Sequence, residues 1–370
     1  MVLTNFEFDP LLDLPPWVGQ RQCTYHFQLI NGTSGENKGT INPIRKNPQL
    51  THDTSRTIKR QLSLSFGVQD TDYIDPITDR VLVSMVFPNG QEYPLGRFVF
   101  TDESDQIFSS GNLANVVLND EMYIVDQQIT RGFDGGTIAL TSSSAGSSVA
   151  KFQTAGFPIT STVAALLNDL PVRLNMEPSP FTSMQSWGIG TRRGSIVEAL
   201  ALTGDYFSPW FGNDGQMHWL RAFNPAQEIP DFDWDSGNEV MRASIGRNSN
   251  ILNAPNRFVV ASTAPVSDAP TFATADVPAS APYSIEKRGF VIADVREVNA
   301  LTTAQCAAIA QNLVERQMIF ETVTISTAPD PRFDSYNTVR WQGVNWLELS
   351  WTMTLAEGAP MTHTLRRSYR

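Results

Sequence analysis

Little in this 370-residue chain points to chemistry. It has 2 cysteines, Cys23 and Cys306, far apart and without neighbouring ligand types, so neither a disulfide framework nor a zinc site is indicated. The N-terminal stretch Met1-Val2-Leu3-Thr4-Asn5-Phe6-Glu7 has no basic region and no apolar core, which is unlike a signal peptide and leads us to expect folding in the cytoplasm where the chain is made. No window approaches the roughly 18 consecutive apolar residues of a membrane span. Charged residues are sparse, at 18%, which argues against disorder and against a long solvated helix.

Catalytic and ligand-binding patterns are also missing. The four histidines, His26, His52, His218 and His363, lie in separate segments, none with a second ligand three or four positions on, so no metal site is expected. No glycine-rich loop ends in Lys-Ser or Lys-Thr, so a nucleotide cofactor has no support. Ser148-Val149-Ala150-Lys151 matches the S-x-x-K spacing in which a lysine activates a serine, but the Ser-Asp-Asn and Lys-Thr-Gly that work with it do not occur. Asp231-Phe232-Asp233-Trp234-Asp235, with Glu239 after it, sets carboxylates along one edge of an extended segment. A calcium loop would need Gly and Glu where Ser236 and Arg242 stand, and the same residues read equally as a polar face alternating with packed Phe232 and Trp234. Catalytic, cofactor-binding and metal residues are therefore each expected to be none. Paired acids for glycoside hydrolysis remain open, because such partners are remote in sequence.

What the chain does have is turns and alternation. Pro 23, Gly 24 and abundant Thr, Ser and Asn indicate many reversals, and the hydrophobic content of 41% allows real cores. The net charge of −11 disfavours a protein that grips nucleic acid and suits a surface along which DNA slides without sticking.

Three segments follow. In 1–130, Leu62, Leu64, Phe66 and Val68 alternate with small residues. Val81, Val83, Met85 and Phe87 repeat the pattern before a Pro88-Asn89-Gly90 turn, and Phe98 and Phe100 share one face of the return strand. Segment 131–235 reads as a small α+β module. It opens with a Gly132–Gly136 turn and a small-residue loop, Thr141–Ser148. A helix carries Ile159, Val163, Leu166, Leu167 and Leu170, with Thr160 or Ser161 as its N-cap, and a second runs from Gly194 to Gly204. A hairpin follows around Gly212-Asn213-Asp214-Gly215. Segment 236–370 returns to strands around one helix, capped by Thr302 with Gln305 and running to about Phe320. A Pro- and Ala-rich stretch, 263–282, reads as an extended loop or linker, and a strongly alternating strand carries Leu347, Leu349, Trp351, Met353 and Leu355. Both strand-rich ends run strand, Asp-Pro loop (Asp75-Pro76; Asp330-Pro331), strand, Gly-containing turn, final strand. The expected class is mainly β, with two barrel-like domains, 1–130 and 236–370, flanking the α+β segment.

The order of these pieces resembles the tail hub, or minor tail, proteins of long-tailed bacteriophages, related in fold to the central baseplate hubs of contractile phages. Residues from Ser55-Arg56-Thr57-Ile58-Lys59-Arg60 through Tyr93-Pro94-Leu95-Gly96-Arg97-Phe98 carry the resemblance in the front. Ser195–Leu200 and Ile251-Leu252-Asn253-Ala254-Pro255-Asn256-Arg257 carry it in the middle, and Asp330-Pro331-Arg332 with Gly358–His363 at the end. The resemblance implies a non-enzymatic homotrimer whose six barrels continue the tail tube at the tip of the virion. Its implied partners are a distal tail protein above, the tape-measure protein, and other tip or fibre proteins below, with DNA passing through the lumen without specific binding. No C-terminal peptidase or receptor-binding module of the kind some larger hubs carry is expected. The competing readings are a hexameric distal tail protein, a tail-borne cell-wall or polysaccharide hydrolase and, weakly without a signal peptide, a secreted adhesin.

Overall fold

The computed structural model describes residues 22–43, 48–67, 74–108, 111–129, 151–188, 190–235, 240–244, 252–262, 271–298, 302–317 and 319–368. The front of the chain folds into strands β1 (Thr24–Asn31), β2 (Asn37–Thr40), β3 (Gln49–Asp53), β4 (Arg60–Gly67), β5 (Asp79–Val86), β6 (Glu92–Phe108) and β7 (Gly111–Asp120), then helix α1 (Met122–Gln127). The middle holds β8 (Lys151–Pro158), α2 (Ile159–Leu167), β9 (Leu174–Met176), β10 (Thr182–Gly188), α3 (Arg193–Gly204), β11 (Trp210–Phe211), β12 (Met217–Trp219) and β13 (Phe232–Asp233). Next come β14 (Val240–Ser244), β15 (Arg257–Ser262), β16 (Phe272–Asp276), α4 (Ile285–Arg288), β17 (Ala293–Val298) and α5 (Thr303–Gln317). Strands β18 (Ile319–Thr327), β19 (Thr338–Trp341), β20 (Val344–Thr354) and β21 (Met361–Ser368) end the described chain.

The architecture is mainly β, as expected, but the two strand-rich ends are joined. Their strands form one 13-stranded sheet in the order β14-β18-β21-β20-β3-β4-β7-β6-β5-β1-β2, with β19 on β20 and β13 on β19. The alternation read in β4 and β5 is real, and in β20 it holds only past the Leu349 bulge: before it Trp346 and Glu348, read on the polar face, are buried, and Leu347 packs in a separate cluster. Leu62, Leu64, Val81, Val83, Met85, Trp351 and Met353 all enter one continuous core that takes residues from both ends. Closed barrels are not formed by the described pairings, and the cause lies in β20. Its first half pairs with β19 and its second half, on the same edge, with β3. An edge that would close the C-terminal strands on themselves is thereby given to the N-terminal strands.

The repeated layout is a repeated topology. The front orders its strands β3-β4-β7-β6-β5 and the back β14-β18-β21-β20-β19, so the first long strand of each set lies beside the last. Registers agree in detail. Thr101 is the unpaired bulge residue between Phe100↔Leu118 and Asp102↔Val117, and Leu349 is its counterpart between Glu348↔Leu365 and Ser350↔Thr364. Pairing with the second strand stops two residues before each bulge, at Val99↔Arg80 and Leu347↔Thr338. A bulge bends its strand and raises the local twist, so both halves curve at the same place. The additions differ: β1 runs antiparallel to β5, whereas β13 runs parallel to β19.

Two smaller cores flank the sheet. One gathers α1, α2, α3 and the hairpin β11–β12 around Met122, Ile159, Val163, Ile196, Leu200 and Trp219. Helix α2 starts after Pro158 with no side-chain cap, and Thr162 instead bonds the Pro158 carbonyl. Helix α3 ends as read, at Gly204, with Asp205 in the left-handed region (φ 62). In the other core, α5 packs Cys306, Ile309, Ala310 and Leu313 against β15 and β16. The Thr302 hydroxyl caps the Gln305 amide at 3.1 Å, as the sequence suggests, but the Gln305 side chain turns to the Thr182 carbonyl. The expected loop 263–282 is corrected in part. Residues 263–270 lie outside the described residues, whereas Phe272–Asp276 is strand β16, paired residue by residue with β15.

The shared core makes a thermodynamic prediction. Leu118→Ala and Leu365→Ala, at equivalent and fully buried positions of the two halves, are each expected to cost about 2–5 kcal/mol. Both should shift one common urea transition followed by tryptophan fluorescence; two resolved transitions would show that the ends unfold independently.

Candidate functional site

Buried polar groups meet at the junction of the sheet with the middle module. Arg60, at the start of β4, is 1% exposed. Its guanidinium binds the Asp334 carboxylate, the Asn213 Oδ1 at 2.5 Å and the Leu95 carbonyl at 3.2 Å, and it lies 5.6 Å over the Trp351 ring. Asp334 also accepts Trp210 Nε1 at 2.8 Å, and the Asn213 amide donates to the Pro331 and Phe333 carbonyls. Gly212 allows this approach: a Cβ there would sit 2.6 Å from His218 Nε2 and 2.8 Å from the Asp334 carboxylate.

His218 stacks on Trp210 and shares a 2.9 Å bond with Asp214. Burial opposes its charge, but that bond and the nearby Asp334 and Asp214 outweigh burial and raise its pKa above the ordinary imidazole range. Beside it opens a cavity of about 340 Å³, lined among others by Glu177, Glu228, Asp231 and Asp334. Three of these carboxylates hold structural bonds: Glu177 accepts the Arg221 amide, Asp231 the Thr338 amide, and Asp334 binds Arg60 and Trp210.

Around this junction stand two more buried basic side chains. His52 stacks on Trp351, meets Ser335 Oγ at 3.0 Å, and has its pKa pushed well down by burial and by Arg60 and Lys59. Lys59 donates to Ser208 Oγ at 2.5 Å and to the Arg56 carbonyl at 3.0 Å. Burial lowers its pKa against the opposing pull of Glu198, Asp120 and Asp53.

The nearest approach to a catalytic triad lies elsewhere, inside the C-terminal strands. Glu348 Oε1 meets His363 Nδ1 at 2.5 Å, and His363 Nε2 meets Thr327 Oγ1 at 2.8 Å. All three are buried. Burial pushes the Glu348 carboxyl well above its usual range, with Asp334 adding to the rise, and lowers His363 to about 3. Burial thus disfavours the charged form of each. The Thr327 hydroxyl donates to the Ala328 carbonyl at 2.9 Å, so its oxygen accepts from Nε2–H, and a neutral His363 then takes the Glu348 proton at Nδ1. A nucleophile would need its own proton to run towards the histidine. Here it runs away, and no substrate reaches the group.

The remaining sequence candidates disperse. His26 is exposed, 3.5 Å from Glu92. Asp231, Asp233 and Asp235 are tied to the amides of Thr338, Asp235 and Gly343, while Phe232 stacks on Phe333; the polar-face reading describes this segment. Cys23 and Cys306 are buried. Ser148 and Glu239 lie outside the described residues. Among the described residues no three His, Cys, Asp or Glu gather as metal ligands, and no helix is long and apolar enough to cross a membrane. Sequence reading missed Arg60, Asp334, Asn213 and Glu348. Arg60 closes the quoted Ser55–Arg60 motif, but nothing in it marks a buried charge.

Strand edges are the other candidate surface. Among the described residues, β14 and β2 end the sheet, and the half of β6 beyond Val99 has a partner, β7, on one side only.

Against this geometry the chain was compared with known proteins. No family model and no curated protein matches it. Solved structures do. A tail protein from Neisseria meningitidis aligns with a TM-score of 0.60 at 9% identity, over 93% of this chain and 97% of that one. The 43 kDa tail protein of prophage MuSo2 from Shewanella oneidensis gives 0.58 at 14%, over 93% and 98%. A prophage tail protein from Listeria monocytogenes gives 0.55 at 8%, over 92% and 94%. The chain has the fold of phage tail proteins, along nearly its whole length.

Two predictions follow from the buried groups. Arg60→Met removes the counter-charge of Asp334 and the donor to Asn213 Oδ1 and the Leu95 carbonyl, and is expected to cost about 3 kcal/mol, read from urea unfolding. For Glu348, the folded state holds a proton that the unfolded state releases above its ordinary carboxyl pKa. Its contribution thus falls as pH rises above about 4.5, by up to about 1.4 kcal/mol per pH unit. Glu348→Gln keeps a donor for Nδ1 without that proton, so it should flatten the decline between pH 5 and 8 in a pH series of unfolding curves.

Proposed function

We propose that this chain is a structural, non-enzymatic subunit of a phage tail, the hub of the tail tip. In this reading it forms a homotrimer in which segments 1–130 and 236–370 act as two similar barrel-like wall units per chain, six around the ring, with 131–235 as a module between them. The ring continues the tail tube below a distal tail protein and around the end of the tape-measure protein, and other tip or fibre proteins attach beneath it. The lumen passes DNA without holding it, in keeping with the charge of −11. Folding and assembly take place in the host cytoplasm, and the finished protein resides in the virion.

The observation that carries this reading is the likeness of fold to three tail proteins over at least nine-tenths of the chain. The repeated strand order supports it, since two equivalent halves per chain suit a ring of three chains better than a distal tail hexamer of single units. The hydrolase alternative would use the acidic cavity, yet most of its carboxylates already serve structural bonds.

Imaging of tail particles carrying a tagged copy of this chain tests the assignment. Three tags at the tip are expected; six tags, or tags along the tube, would turn the choice to a distal or tube protein. A zymogram on host cell wall should stay uncleared, and clearing that an Asp231→Asn variant abolishes would establish the hydrolase.

A further inference from the structure

Past the Leu349 bulge, the joined ends of the chain share a face that the core does not use. On strands β18, β21, β20, β3, β4 and β7, the core takes Ile325, Met361, Met353, Leu50, Leu62 and Leu118. Their sequence neighbours point the other way. The registers align those neighbours into one row across all six strands: Ser326, Thr362, Thr352, Thr51, Gln61 and Asn119. At the usual strand spacing the row is about 24 Å long. It is tied side to side. The Thr51 hydroxyl donates to the Gln61 carbonyl at 3.3 Å, the Gln61 amide to Asn119 Oδ1 at 3.3 Å, and the Asn119 amide to Thr101 Oγ1 at 2.9 Å. All six residues are half-buried, so each keeps part of its surface in solvent. Among the described residues, the rows on either side hold only Thr, Ser and Gln until Asp53 on β3 and Val117 on β7. Asp53 is already engaged by the amide and hydroxyl of Ser55. Charge returns at the margins, with Arg80 beyond β6 and Arg366 beside Leu347.

A face that packs on another protein carries aromatic or aliphatic anchors at its centre. One left to bulk water carries charge on roughly a quarter to a third of its residues. This face has neither, in a chain that is 18% charged. It is built to stay wet and to hold no ion. We propose that this neutral row lines the lumen of the ring and is the surface past which DNA moves. Lysine or arginine there would displace counterions and bind phosphate. Aspartate or glutamate would repel the duplex and raise a barrier to its entry. Hydroxyl and amide groups exchange hydrogen bonds with water at little net gain, so no position along the DNA is favoured over the next. This rests on the ring reading above and names the wall within it. Free passage then comes from the face itself, while the net charge of −11 is carried by the rest of the chain.

Lysines placed on the face, in the full chain within assembled tails, test this. Gln49→Lys and Thr324→Lys stand at exposed positions in the two flanking rows. Tails should form in parent numbers. Each variant is expected to slow DNA release at low salt by about tenfold, with the parent rate returning at high salt, as new phosphate contacts require. Thr274→Lys, the same change on the separate sheet of β16, β15 and β17, should release DNA at the parent rate. Unchanged release in both face variants, or an equal delay in Thr274→Lys, would overturn the assignment. Gln49→Cys gives an answer that does not depend on release, since the native Cys23 and Cys306 are buried. In tails that have released their DNA, it should react with a small maleimide and resist one carrying a large polymer. Reaction with both puts the face outside, and reaction with neither puts it in a protein contact. Either result, in tails showing three tags at the tip, sinks the lumen wall and leaves the ring standing. Tails without three tags at the tip remove both.

Discussion

The fold depends on giving one buried guanidinium a place to discharge its donors. Desolvating Arg60 costs several kcal/mol unless its hydrogen bonds are met. The groups that meet its two terminal nitrogens come from distant stretches: Leu95 on β6, Asn213 in the β11–β12 turn, and Asp334 just before β19. None of these alone satisfies the charge. The N-terminal strands, the middle module and the C-terminal strands must arrive together, and a misplaced module leaves a buried cation unpaired. Hydrophobic burial supplies the bulk of the stability but is indifferent to register. The ionic knot makes one arrangement of the three segments preferable to the others. Its neighbours reinforce the choice, since Asp334 also holds Trp210 while the main chain at Asp334 accepts Trp351 Nε1.

Much of this was legible as alternation and little of it as partnership. Strands β4, β5 and β20 declare themselves because one face of each enters a core, and a period of two survives in sequence. The hairpin at Gly212–Gly215 and the Thr302 cap are equally local signals. Strand β16 escaped because it carries its inward face on Ala273 and Ala275, small residues that pack beneath α5, while Phe272 points out. Hydropathy sees nothing there, although small side chains are what let a helix lie close on a strand. The β20–β3 junction was invisible for another reason: nothing local in either strand tells which distant edge it will meet. For the same cause nothing in the sequence pairs Arg60 with Asp334.

The repeated topology gives a context to the group that most resembles chemistry. Carrying the registers from one half to the other places Glu348, His363 and Thr327 where the N-terminal half has Phe100, Val116 and Phe66. Phe66 and Val116 are core residues, and Phe100 packs against the same core. A polar chain therefore occupies the space of an apolar cluster, and its hydrogen bonds run from Glu348 through His363 and Thr327 to a backbone carbonyl, while Glu348 Oε2 is buried without a partner. That orphaned oxygen costs stability that the hydrocarbon at the same place does not. An active site built on such a scaffold would stand at an opening, with one group left unsatisfied for substrate. Here the last proton ends on a backbone carbonyl inside the strand-rich core. What the two halves retain in common is the backbone, its strand order and its bulge, since these fix which edges are open and which are taken. Side chains at the same places differ, phenylalanine in one half and glutamate in the other, while both keep the interior filled.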